Sequence, residues 1–135
     1  MGRGWVRGLA KCAVVDISGL DLDYEDVEAL GGVEVLKVNR INNVLRRPEG
    51  GGGTQVRVKV MEARYCGVTD RQLRGWRWEG TRYFDLEGNT RITDDGVGYV
   101  VNETRGRMEG IKLADTAVST IPELDGLKVR RSVGK

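Results

Sequence analysis

Val56, Val58 and Val60 alternate with Arg57 and Lys59. This is the period of two that a strand with one apolar and one wet face requires and that a helix cannot use. Gly50 to Gly53 stand just before this run, and a second strand-like stretch, VEVLKVNRINNVLRR, precedes them. Residues 33–65 therefore predict a long β-hairpin with a glycine-rich tip. At roughly 3.3 Å per residue, residues 54–65 would reach about 40 Å, about twice a usual strand. The arm is expected to project from the body of the domain.

The rest of the chain reads as short elements. Twenty glycines against two prolines in 135 residues supply frequent turns and leave little room for long amphipathic helices. Residues 1–8 form a basic, glycine-rich arm with Trp5 as its anchor. Residues 9–17 have the β-branched content of a buried strand. Asp23 is a natural N-cap for a helix over 24–30, with Leu22 and Val27 spaced as a hydrophobic staple and Gly31 as the left-handed residue that ends it. Thr69 to Gln72 have capping-box spacing, which predicts a helical turn reaching about Trp76. Beyond it, strands over 76–86, 90–93, 97–102 and 107–114 are separated by turn-forming Asp, Asn and Gly, including Asp94-Asp95-Gly96. Residues 116–135 form a tail. No internal repeat is evident. The fold class expected is mainly β, α+β with minor helix: one domain over 1–135, an antiparallel sandwich or barrel-like body with the projecting hairpin and one or two short helices.

Composition narrows the chemistry. The chain has no histidine, which removes every imidazole general base and every imidazole metal ligand. Two cysteines, Cys12 and Cys66, cannot form a four-thiolate site and read as small buried hydrophobes. No catalytic residue, metal or cofactor is expected. No apolar run has the length of a membrane span, and the first residues lack a signal-type hydrophobic region. A cytoplasmic protein, or one inside an assembled particle, is expected.

Net charge is only +2, but the charges are segregated. Residues 16–32 hold Asp16, Asp21, Asp23, Glu25, Asp26 and Glu28 without a base, whereas bases outnumber acids over 33–75. Complementary patches of this kind can join copies head to tail, or the basic one can meet a polyanion. Arg40, Arg46, Arg47, Arg57 and Lys59 are the candidate contacts, either with protein or with phosphates along a nucleic-acid backbone. Trp5, Trp76 and Trp78 are candidate interface anchors or base-stacking groups, with a plain core role as the alternative for the latter two. The function expected is a non-enzymatic assembly subunit of a viral or phage-like particle or tube, joined through hairpin, strand edges and arms. The alternative is a nucleic-acid-binding domain that uses the basic hairpin.

Overall fold

The computed structural model describes residues 8–48, 54–104 and 107–119, and residues 128–130 as backbone. Trp5, most of the N-terminal arm, most of the glycine tip and most of the tail lie outside these residues.

Every strand pairing among the described residues is parallel. Six three-residue strands form the main sheet: β1 (Val14–Asp16), β2 (Val35–Lys37), β4 (Val60–Glu62), β6 (Tyr83–Asp85), β7 (Gly110–Lys112) and β8 (Lys128–Arg130), lying side by side in chain order. Two-residue strands β3 (Thr54–Gln55) and β5 (Trp76–Arg77) pair separately. Among the described residues, helices α1 (Tyr24–Ala29), α2 (Asp70–Arg74) and α3 (Asp94–Glu103) lie in the connections between strands. This is a parallel α/β arrangement, and it overturns the expected antiparallel sandwich or barrel with a projecting hairpin. Residues 33–65 are not a hairpin: Val35 pairs in parallel with Val60, and both belong to successive turns of one coil.

That coil is a solenoid with a repeat. Val14 lies beside Val35, Val35 beside Val60, Val60 beside Tyr83 and Tyr83 beside Gly110. Each step advances the chain by roughly 20–29 residues, the period of strand-plus-helix solenoids such as leucine-rich repeats. Within each turn the inward positions follow a fixed spacing of three, two and three residues. It runs Val33, Leu36, Val38, Ile41, then Val58, Met61, Ala63, Cys66, then Thr81, Phe84, Leu86, Asn89, and all twelve are buried. Cys12, Val15, Ile17, Leu20 and Met108, Ile111, Leu113, Thr116 occupy the same places in the flanking turns.

The local reasons follow from this geometry. The Val56-Val58 alternation is real, since both valines are buried and Arg57 and Lys59 are exposed. It breaks where the chain turns a corner of the coil: Met61, not Val60, enters the core. The backbone must also bend sharply after every strand. Gly19, Arg40, Tyr65, Gly88 and Asp115 all have positive φ, each four residues after the central residue of its strand. A bend that recurs once per turn holds even non-glycine residues in the left-handed region, at about 1–2 kcal/mol each.

The capping predictions fare unevenly. The Asp23 carboxylate accepts from the Glu25 amide at 3.0 Å, and Asp26 reaches back to the Asp23 amide at 2.9 Å, completing a capping box. Thr69 accepts from the Gln72 amide at 3.1 Å. Gly31 is not left-handed; helix α1 ends through Leu30 at φ −102. Asp94-Asp95-Gly96 is not a hairpin turn and residues 97–102 are not a strand. Thr93 caps α3, with both acids in its first turn where the positive helix end favours them. Val97 and Val100 lie on its buried face, and a run that is apolar at one helical spacing and β-branched in content satisfies both patterns locally.

Candidate interaction face

The first five strands of the main sheet each turn their central residue into the core. Val15, Leu36, Met61, Phe84 and Ile111 point into the core, where each is worth about 1.5–3 kcal/mol. The residues on either side of them point to the opposite face of the sheet, away from that core. Two columns result, running across the strands.

The first column is Val14, Val35, Val60, Tyr83 and Gly110. Val14 is 60% exposed and Tyr83 45%, and Val35 and Val60 are half-buried. With strands about 4.8 Å apart, the side chains from Val14 to Tyr83 make an apolar stripe about 14 Å long. The Tyr83 hydroxyl donates to Glu109 at 2.9 Å, and that hydrogen bond and the carboxylate's charge push the phenol above its usual value.

The second column carries charge: Asp16, Lys37, Glu62, Asp85 and Lys112. Lys37 meets Glu62 at 3.8 Å and Lys112 meets Asp85 at 3.8 Å. Arg64 reaches in from the following position, with Nε 2.7 Å from Asp85 and Nη2 3.3 Å from Glu62. Asp85 is buried, and besides these cations it accepts from the Glu87 amide at 3.1 Å. At the edge, hydrogen bonds from Ser18 hold the Asp16 carboxyl below the usual carboxylate value, with a smaller pull from Lys37. Asn39 ties three turns together: its backbone amide donates to Ser18 Oγ, its side-chain Oδ1 accepts from the Arg64 amide, and its Nδ2 donates to Glu62, all within 3.0 Å. A shallow groove of about 500 Å³ lies over the middle of this face, between Val60, Glu62, Tyr83, Asp85 and Lys112.

The basic residues singled out by sequence do not form a stripe. Arg40 lies 4.9 Å over the Tyr65 ring on the rim of this face. Arg47 packs on the other side of the molecule, 3.0 Å from Glu28 and 5.1 Å over the Trp76 ring. Lys59 lies 3.9 Å from Glu34, Arg57 is exposed, and Arg46 is brought together only with Arg47, in a surface pocket that Arg71 also lines. Trp76 and Trp78 have no exposed surface. Their indole N–H groups donate to Leu45 O at 2.9 Å and Leu73 O at 3.0 Å, the two rings pack with each other, and that of Trp78 packs with Phe84. They hold the core and present no face for stacking a base.

Sequence reasoning missed the residues that stitch the turns. Asn89 is fully buried; its carbonyl accepts from the Cys66 and Val68 amides, both at 3.0 Å, and its Nδ2 donates to Ala63 O and Leu86 O, both at 2.8 Å. Cys66 holds the same place one turn earlier and donates its thiol to Val38 O at 3.1 Å. Burial pushes that thiol above its ordinary value. Asp70 accepts from both the Thr93 amide and hydroxyl, and Asp94 does the same for Ser119. The signal was present as Val68-Thr69-Asp70 echoed by Ile92-Thr93-Asp94.

No family model, curated protein or solved structure matches this chain. Among the described residues no helix is long and apolar enough to cross a membrane, and no group of three or more acidic or cysteine side chains is placed to hold a metal ion.

Proposed function

We propose that this chain is a binding module that holds a polypeptide partner across the open face of its parallel sheet. The observation that carries the reading is the apolar stripe Val14–Val35–Val60–Tyr83 set beside the charged column. A solenoid needs only the central residue of each strand for its core. The flanking positions are free to be polar, so exposed valines and a tyrosine aligned over several turns mark a contact surface rather than a folding requirement. The sign of the face favours protein over a polyanion. Its acids and bases are mixed and pair with one another, Lys37 with Glu62, Lys112 with Asp85 and Arg64 with both acids, whereas a phosphate-tracking surface would be dominated by bases.

The test is selection of peptides from a random display library on the purified chain, repeated with Tyr83→Ala and Val60→Asp. Both substitutions lie outside the core and should leave the melting profile near that of the parent. Peptides selected on the parent should lose at least tenfold in affinity for either variant, as expected for an interface anchor worth more than about 1.4 kcal/mol. Peptides that bind both variants as well as the parent would refute the reading. Salt-sensitive binding of single-stranded DNA that is indifferent to both changes would replace it with the nucleic-acid alternative.

A further inference from the structure

Away from the open face, three arginines share one pocket. Arg46, Arg47 and Arg71 line it together with Tyr24, Pro48 and Thr69, and its volume is about 630 Å³. These residues come from three successive turns of the coil. Tyr24 opens α1, Arg46 to Pro48 lie in the connection after β2, and Thr69 and Arg71 belong to the start of α2. Among the described residues that line the pocket there are three guanidinium groups and no carboxylate.

Arg47 is the fixed member of the set. Its stem passes over Gly75, where an added Cβ would lie 3.6 Å from Arg47 Cδ. Its guanidinium lies 5.1 Å over the Trp76 ring, and its Nη2 is 3.0 Å from Glu28. With a side chain only 12% exposed, this cation is held in place before any ligand arrives, which removes an ordering cost from binding. Arg46 and Arg71 are exposed. The Thr69 hydroxyl accepts from the Gln72 amide at 3.1 Å, and its own proton stays a donor. Tyr24 is half-buried, with its ring packed on the core, and with Pro48 it gives the pocket apolar surface beside the charged groups.

We propose that this pocket binds a small phosphate monoester that carries a flat ring, a mononucleotide being the simplest example. A carboxylate is planar and is satisfied by a single guanidinium fork, whereas a phosphate offers three terminal oxygens that donors reaching in from separate turns can share. Cations gathered in one pocket repel one another, and a dianion among them reverses the sign of that interaction. Inorganic phosphate alone would fill only a small part of the 630 Å³, and a pocket of this size suits an organic group beside the anion. The Tyr24 ring supplies a surface on which that group can stack. The inference uses no residue of the open face and is independent of what that face binds.

Isothermal titration calorimetry on the full chain at physiological ionic strength tests it, with adenosine monophosphate, phenyl phosphate, adenosine and inorganic phosphate as probes. At least one of the two monoesters should bind with a Kd below about 1 mM, and at least about tenfold tighter than either adenosine or inorganic phosphate, each of which supplies only half of the contacts. Adenosine monophosphate as the tighter of the two names a nucleobase as the ring, and phenyl phosphate an aryl group; both results support the site. Arg46→Gln and Arg71→Gln change exposed residues, and circular dichroism matching that of the parent shows that the variants are folded. Each should weaken the monoester about ten- to a hundredfold, as expected for the loss of charge-assisted hydrogen bonds. Arg57→Gln removes an exposed base outside the pocket and should leave binding within about twofold, because screening confines the effect of distant charges. Tyr24→Leu should bring the monoester down to the affinity of inorganic phosphate; should that variant misfold, the ratio of the two ligands on the parent makes the same test. Absence of binding by both monoesters, inorganic phosphate that binds as tightly as they do, or a loss in Arg57→Gln equal to that in Arg71→Gln would overturn the proposal.

Discussion

Replacing Asn89 by alanine removes the most heavily used polar side chain in the core. Four buried hydrogen bonds go at once: two amides, of Cys66 and Val68, lose their acceptor, and two carbonyls, of Ala63 and Leu86, lose a donor. A carbonyl keeps a second lone pair and tolerates the loss, but an orphaned buried amide costs about 1–3 kcal/mol. The two amides alone come to about 2–6 kcal/mol, and water entering the vacated space recovers part of it. We expect Asn89→Ala to destabilise the fold by about 3–5 kcal/mol, a large share of the 5–15 kcal/mol that holds a typical domain together. Asn89→Cys copies the residue found one turn earlier, where a thiol donates to Val38 O, and should cost less, about 1–3 kcal/mol, because a thiol donates only weakly and accepts poorly. Urea unfolding followed by tryptophan fluorescence is a suitable assay, since Trp76 and Trp78 are fully buried in the same core. A loss below about 1 kcal/mol for Asn89→Ala would refute the claim that this ladder holds the turns in register.

Three further outcomes are expected. Gly88 has φ +80 and an added Cβ would lie 2.2 Å from the Tyr65 ring, whereas Gly19 has φ +79 with nothing within 4 Å. In thermal melts Gly88→Ala should therefore cost more than Gly19→Ala, which carries only the backbone penalty of about 1 kcal/mol. Asp70→Ala removes both bonds to Thr93 and should cost about 1.5–3 kcal/mol in urea unfolding, with Asp70→Asn restoring part of it. The Cys66 thiol, raised by burial above 9.0, should resist a thiol-labelling reagent at pH 8 in the native state while exposed Cys12 reacts. Because the folded state disfavours the thiolate, the stability tied to Cys66 is full below pH 9.0 and is lost as pH rises through the raised native value.

Much of the local chemistry was legible in the sequence. Asp23 and Thr69 announce their helices because a cap is a matter of four adjacent residues. The burial of Val56 and Val58 is equally readable. The topology was not, because its strands are three residues long with a single core side chain each, too short for a period of two to declare itself. The apparent hairpin arose from joining Val58 to Val60 across a corner where the inward spacing changes from two to three. Helix α3 was hidden by Asp94-Asp95-Gly96, whose composition suits a hairpin turn as well as the first turn of a helix capped by Thr93. The repeat was hidden because its ladder position is filled by Leu20, Ile41, Cys66, Asn89 and Thr116 in turn, five residues of unlike chemistry that share only a place. The open face was out of reach for the same reason: Val14 and Tyr83 are sixty-nine positions apart in sequence and join one stripe only once the coil is wound.

The central claim is that residues 33–65 form successive parallel turns and not a hairpin. Cross-strand nuclear Overhauser contacts on the isotope-labelled chain address it directly. A solenoid places Leu36 beside both Val15 and Met61, and Phe84 beside both Met61 and Ile111. Observation of these four contacts is the predicted result. Antiparallel contacts that pair residues of 33–47 with those of 54–65 in opposite order around the glycine loop, without the contact between Leu36 and Val15, would contradict it.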